Sequence, residues 1–128
     1  MSPEIVEKAV NDYFAAICAL DAAAWLDTFA ADAISHEPGG PPLHGHNELS
    51  QFFAGIAGSL QKLTMLPAGI FVVGHEAACQ WNAHGTGKNG AAVAFAGIDI
   101  FTINENGKIQ TVRGYWNPAL LMAQLQEG

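Results

Sequence analysis

Hydrophobic and polar positions change rhythm near the middle of the chain. In the first half the apolar residues return at helical spacing. Val6, Val10, Tyr13, Ile17 and Leu20 form one stripe, and Leu49, Phe52, Phe53 and Ile56 form another. Ser2-Pro3-Glu4 supplies an N-cap, a first-turn proline and a first-turn acid for the first stripe. A second, shorter helix is predicted from Asp21 through Trp25 to about Phe29, and a third from about Asn47 to Gly58. Between them, Ala33 to Glu37 is extended and stops at Pro38, whose ring disfavours helical backbone at the preceding residue. Pro-Gly-Gly-Pro-Pro at 38–42 is a loop.

The second half alternates instead. Segments 63–73, 77–86, 91–103 and 109–116 are strand-like and separated by turns containing Gly or Asn. Asn104-Glu-Asn-Gly107 is a hairpin signal, with Asn-Gly supplying positive φ angles. Asn117-Pro118 opens a short C-terminal helix carrying Leu120, Leu121 and Leu125. Helices followed by a meandering antiparallel sheet predict an α+β domain. A strongly curved sheet wrapped over the helices forms a one-ended cone with an apolar pocket. One domain spanning residues 1–128 is expected, with no repeat or linker.

Composition narrows the partners. Half of the residues are hydrophobic and 13% are charged, so the chain can bury a sizeable core and has little charged surface, which favours an oligomer. A formal charge of −7 with only five Lys and Arg argues against a nucleic-acid partner and suits a neutral ligand. Cys18 and Cys79 fall in apolar stretches and are expected to be reduced and buried. The amino-terminal residues lack the pattern of a signal peptide, and no apolar run reaches the ~20 residues of a membrane helix, so a soluble cytoplasmic protein is expected.

Candidate chemistry begins with Asp99, alone in the apolar run 91–103. Alternation places Val93, Phe95, Gly97, Asp99, Phe101 and Ile103 on one face. A carboxylate there is costly to bury unless it is paired or stays protonated, and a protonated acid can donate to a developing oxyanion. The plainer alternative is a wet aspartate at a rim or interface. Tyr13 lies on the inward stripe of the first helix and needs a partner for its hydroxyl, which a backbone carbonyl could also provide. Glu37, at the mouth of the proline loop, has the placing of a general base, or of an ordinary loop acid. His36, Glu37, His44 and His46 lie close in sequence, but their spacing matches no standard metal pattern, and a surface loop accounts for them. Trp81, Trp116 and Met122 are candidate pocket walls, with plain core packing the alternative. Motifs for nucleophilic hydrolysis, nucleotide binding and thiol redox chemistry are absent.

Together these segments resemble the Δ5-3-ketosteroid isomerases of the cone-shaped family that includes nuclear transport factor 2. The resemblance rests on Tyr13-Phe-Ala-Ala-Ile, on residues 31–45 with Glu37-Pro-Gly-Gly-Pro-Pro-Leu-His-Gly, on the strand around Ile98-Asp-Ile, and on Asn106-Gly-Lys-Ile-Gln-Thr-Val-Arg-Gly-Tyr-Trp116. It covers nearly the whole chain. It implies that Tyr13 and protonated Asp99 form an oxyanion hole and that Glu37 shuttles the proton; a protonated aspartic acid in this family is itself a standard illustration of the principle. It also implies a steroid or other small apolar ketone as substrate, a homodimer, and neither a metal nor an organic cofactor, because the carbonyl is the electron sink. Met65, Phe95, Phe101 and Trp116 are then candidate walls for a flat apolar ligand.

Three departures stand out. The family's base is normally aspartate, whereas Glu37 is one methylene longer. The loop that follows is one residue shorter. Phe29 and Phe53 occupy places where some members carry tyrosines that support the first one. A non-catalytic binding module stays open as an alternative, as does another enzyme on the same scaffold (a dehydratase, cyclase or epoxide hydrolase). An epoxide hydrolase would need an Asp-Arg-Asp set, and Arg113 is the only arginine.

Overall fold

Ser2 stands at the head of the first helix in extended conformation, and the proline after it begins α1 (Pro3–Ala19). The Ser2 side chain makes no capping hydrogen bond. The inward stripe buries Val6, Ala9, Val10, Tyr13, Phe14, Ala16 and Ile17, and the helix closes on Leu20 in the left-handed region at φ 51°. Asp21 then caps α2 (Ala22–Asp27) by accepting from the Ala24 N–H at 3.1 Å. This helix ends before Phe29, which already belongs to β1 (Phe29–His36). A two-residue strand, β2 (Leu43–His44), follows the predicted proline loop and leads into α3 (Gly45–Ser59). The computed structural model describes residues 2–126.

The remaining elements follow the expected alternation: β3 (Leu60–Val73), β4 (Glu76–Gly87), β5 (Ala92–Ile103), β6 (Ile109–Trp116) and α4 (Pro118–Gln126). Asn117 caps α4 by accepting from the Leu120 N–H at 3.2 Å. The turn at 104–107 needs positive φ only at Gly107, because Asn104 Oδ1 accepts from the Asn106 and Lys108 N–H groups and fixes the rest.

All six strands join one sheet in the order β2-β1-β6-β5-β4-β3. The expectation of a purely antiparallel sheet is corrected here. β1 runs parallel to β6, with Ser35 opposite Val112 and His36 opposite Arg113, while the remaining pairs are antiparallel. The physical reason is connectivity: α3 and three long strands separate β1 from β6, enough chain to return in either direction. The fold is therefore α+β with a curved mixed sheet. Cys18 ties α1 to β3, its thiol donating to Met65 O at 3.3 Å and accepting from Met65 N at 3.2 Å. Both cysteines are free, Cys79 buried and Cys18 half-buried.

Candidate active site

Asp99 and Gly114 face each other directly across β5 and β6, and Glu37 comes off the end of β1 immediately beyond the His36–Arg113 pair. The parallel insertion of β1 thus lays Glu37, Gly114 and Asp99 in a row across three adjacent strands. Both acids reach over the glycine. A methyl built on Gly114 would lie 3.1 and 3.4 Å from the two Glu37 carboxylate oxygens and 3.2 Å from Asp99 Oδ1. Tyr13 approaches the same space from α1, and the three side chains meet on one cavity.

Its other walls are apolar and include Ile17, Leu20, Phe53 and Leu63, with Phe52 and Ile56 also bordering an outer groove. The space is about 560 Å³ including the open mouth, of which about 50 Å³ admits the centre of a water molecule. Most of the empty space is therefore too narrow to take a bulky ligand unless the walls move. A wider, open cleft between α1 and the 104–107 turn carries Lys8, Asp12, Asp27 and Lys108, which pair at the surface, and it gathers no buried ionisable group.

Asp99 is only 3% exposed. Burial, reinforced by the nearby Glu37 charge, pushes its carboxyl up to about 7. The Trp81 indole N–H lies beside Asp99 and pulls the other way, yet it completes no hydrogen bond among the described residues. Glu37 is also raised by burial, but its charged form has donors: Trp116 Nε1–H to Oε1 and Ser35 Oγ–H to Oε2, both at 3.2 Å. The two carboxyls share one field, and the one that is hydrogen-bonded keeps its charge more easily.

Tyr13 stands in an aromatic box, its ring edge-on to Phe101 at 5.1 Å and to Phe29 at 5.9 Å. Burial, then the Asp99 and Glu37 charges, hold its hydroxyl well above the usual tyrosine range, so it is a neutral donor. The Trp25 N–H opposes that shift and, like Trp81, has no hydrogen-bond partner among the described residues. Burial and the Asp99 charge push the Cys79 thiol up to about 12, which makes it an inert neighbour rather than a nucleophile.

Of the expected walls, Met65, Phe95 and Trp116 line the cavity, as does Trp81. Phe101 does not. It shares a strand face with Phe95 but lies where α1 covers the sheet, fully buried behind the Tyr13 ring. Met122 also departs from expectation: it is exposed and borders an outer groove between α3 and α4. His36 points to the opposite face of β1 from Glu37, His44 is exposed, and His46 meets the Phe29 carbonyl at 3.1 Å. Among the described residues no cluster of three or more His, Cys, Asp or Glu is arranged to hold a metal.

Sequence reasoning missed Ser35, Trp25 and Gly114. Ser35 carried a usable signal, since it lies two residues before Glu37 and so on the same face of an extended segment. Gly114 carried a weaker one, as the small residue between Val112 and Trp116 on the inward face of β6.

A curved mixed sheet closed at one end by helices, with an apolar cavity holding a few convergent polar groups, defines an NTF2-like domain. The chain belongs to the SnoaL-like domain family, which matches residues 10–112. It superposes on an NTF2-like protein of unknown function from Burkholderia pseudomallei with a TM-score of 0.83 at 19% identity, covering 98% of each chain, a likeness of fold alone. No curated protein matches the chain. No helix among the described residues is long and apolar enough to cross a membrane.

Proposed function

We propose that this protein is a Δ5-3-ketosteroid isomerase, moving a carbon–carbon double bond into conjugation with a ketone. The observation that supports it most is the unequal treatment of two neighbouring carboxyls. Asp99, near neutrality in its affinity for a proton, can stay protonated and donate, while Glu37 is held by Ser35 and Trp116 in a form that accepts. The substrate's 3-keto oxygen takes hydrogen bonds from the Tyr13 and Asp99 hydroxyls. Glu37 removes a proton from C4, the electron pair moves into a dienolate, and the same proton returns at C6. Both donors strengthen their bonds as charge builds on oxygen. The rate should rise as Glu37 ionises and fall above about pH 7 as Asp99 loses its proton.

The proposed ligand is a ketone with an apolar body, because Glu37 and Asp99 converge over Gly114 while the rest of the lining is largely apolar. A fused-ring body has to part Phe52, Ile56, Trp116 and Leu121, which line both the cavity and the groove between α3 and α4. Arg113 is exposed on the far face of β6 from Gly114, which counts against an Asp-Arg-Asp epoxide hydrolase. A second copy of the chain is the proposed partner, seated on the outer sheet face where Phe71, Ile98 and Tyr115 are exposed.

Ultraviolet detection of the conjugated enone formed from a Δ5-3-ketosteroid tests the reading. Glu37→Gln should lower kcat by about 10²–10⁴-fold, the span of a removed general base. Conversion that survives that substitution moves the base elsewhere. No conversion by folded wild-type protein sinks the isomerase and favours the binding module.

A further inference from the structure

We propose that Gly114 is a positioning residue for the base: its missing side chain leaves the room into which the longer Glu37 extends its carboxylate beside Asp99. This rests on the isomerase reading for its consequence, though not for its geometry. On the inward face of β6 the neighbours of Gly114 are Val112 and Trp116, both bulky, and between them the strand presents only backbone. That gap is filled from the side by Glu37, whose oxygens sit 3.1 and 3.4 Å from the point where a Cβ would stand.

The demand for glycine is one of volume. Gly114 is not among the positive-φ residues, so alanine fits its backbone, and the three atoms nearest its Cβ position are all oxygens of the two carboxyls. An aspartate at position 37 would withdraw its oxygens by about 1.5 Å, one carbon–carbon bond, and leave only Asp99 Oδ1, at 3.2 Å, against that point. Glutamate at 37 and glycine at 114 are therefore two halves of one adjustment. The groups facing the Glu37 carboxylate are the Ser35 hydroxyl, the Trp116 N–H and the Asp99 carboxyl, with Tyr13 across the cavity. Ser35, Trp116 and Asp99 belong to strands, so an added methyl moves the Glu37 side chain, which lies just beyond the end of β1.

Gly114→Ala in the native background should lower kcat about tenfold, as expected of a base displaced by a few tenths of an ångström, with KM changed by less than about twofold. In a Glu37→Asp background the same substitution should cost less than about twofold, because the shorter acid does not reach the methyl. An equal loss in both backgrounds would place the effect on Asp99 and overturn the proposal, as would no loss in either. A second measurement needs no turnover: carbon-13 NMR titration of the side-chain carboxyls. The methyl should displace water from Glu37 and move its midpoint upward. An unchanged Glu37 midpoint overturns the positioning role. A shifted midpoint in a protein without isomerase turnover supports that role and overturns only the isomerase reading.

Discussion

Replacing Asp99 by asparagine should stabilise the protein in alkaline solution and leave it almost unchanged in acid. The folded state raises this carboxyl from 3.8 to about 7. Between those values the folded protein holds a proton that the unfolded chain releases, so stability declines as pH rises and the loss is complete above the folded value. A shift of that size corresponds to about 4 kcal/mol at roughly 1.36 kcal/mol per unit. Asparagine has nearly the same shape and no charge to desolvate, so it escapes the loss. At about pH 8 the variant should gain up to about 4 kcal/mol, a rise in Tm of roughly 15 °C, and at about pH 4 close to nothing. Urea unfolding of both proteins at the two pH values, at one protein concentration, reads the difference directly. A gain that is the same at both pH values, or a variant less stable than wild type at the higher one, would refute the burial argument. Activity should move the opposite way, which makes Asp99 a residue kept at the expense of stability.

Trp116→Phe removes the N–H on Glu37 Oε1 and so raises the base further; the acidic limb of the kcat/KM profile should move to higher pH while the alkaline limb stays. Gly97→Ala should cost about 3 kcal/mol in urea unfolding, because its Cβ would lie 2.6 Å from both Trp81 Cζ2 and the Tyr115 carbonyl. Phe71→Glu, on the outer sheet face at 69% exposure, should reduce the sedimentation coefficient from that of the proposed dimer to that of a monomer with the cavity intact.

The elements were largely legible because each is marked locally. β6 runs from Ile109 to Trp116 as alternation predicts, and β5 turns Val93, Asp99, Phe101 and Ile103 inward together. Strand partners were not legible, since period-two patterning states which face is buried and is silent on which strand lies alongside or in which direction. The parallel seat of β1 against β6 escaped for that reason, and with it the neighbourhood of Glu37 and Gly114. Phe95 and Phe101 show the same limit within one strand. Parity gives them one face, but one meets the cavity and the other meets α1, and only the curvature of the sheet separates them. Tyr13, Glu37 and Asp99 could be singled out because each breaks an apolar or proline-rich context; Trp25 could not, being apolar by composition and polar by a single buried N–H.

The placement of Glu37 at the end of a strand makes the site separable. Tyr13 and Asp99 are anchored by a helix stripe and by a strand interior, whereas the Glu37 carboxylate hangs at the point where the chain leaves the sheet for residues 38–42. Rewriting Glu37 together with those few residues would exchange the proposed proton acceptor for another group and leave Tyr13 and Asp99 untouched. One framework could then pass between holding an enolate-like ligand and transforming a ketone by changes confined to a surface loop, which is where a scaffold can vary its chemistry without refolding its core.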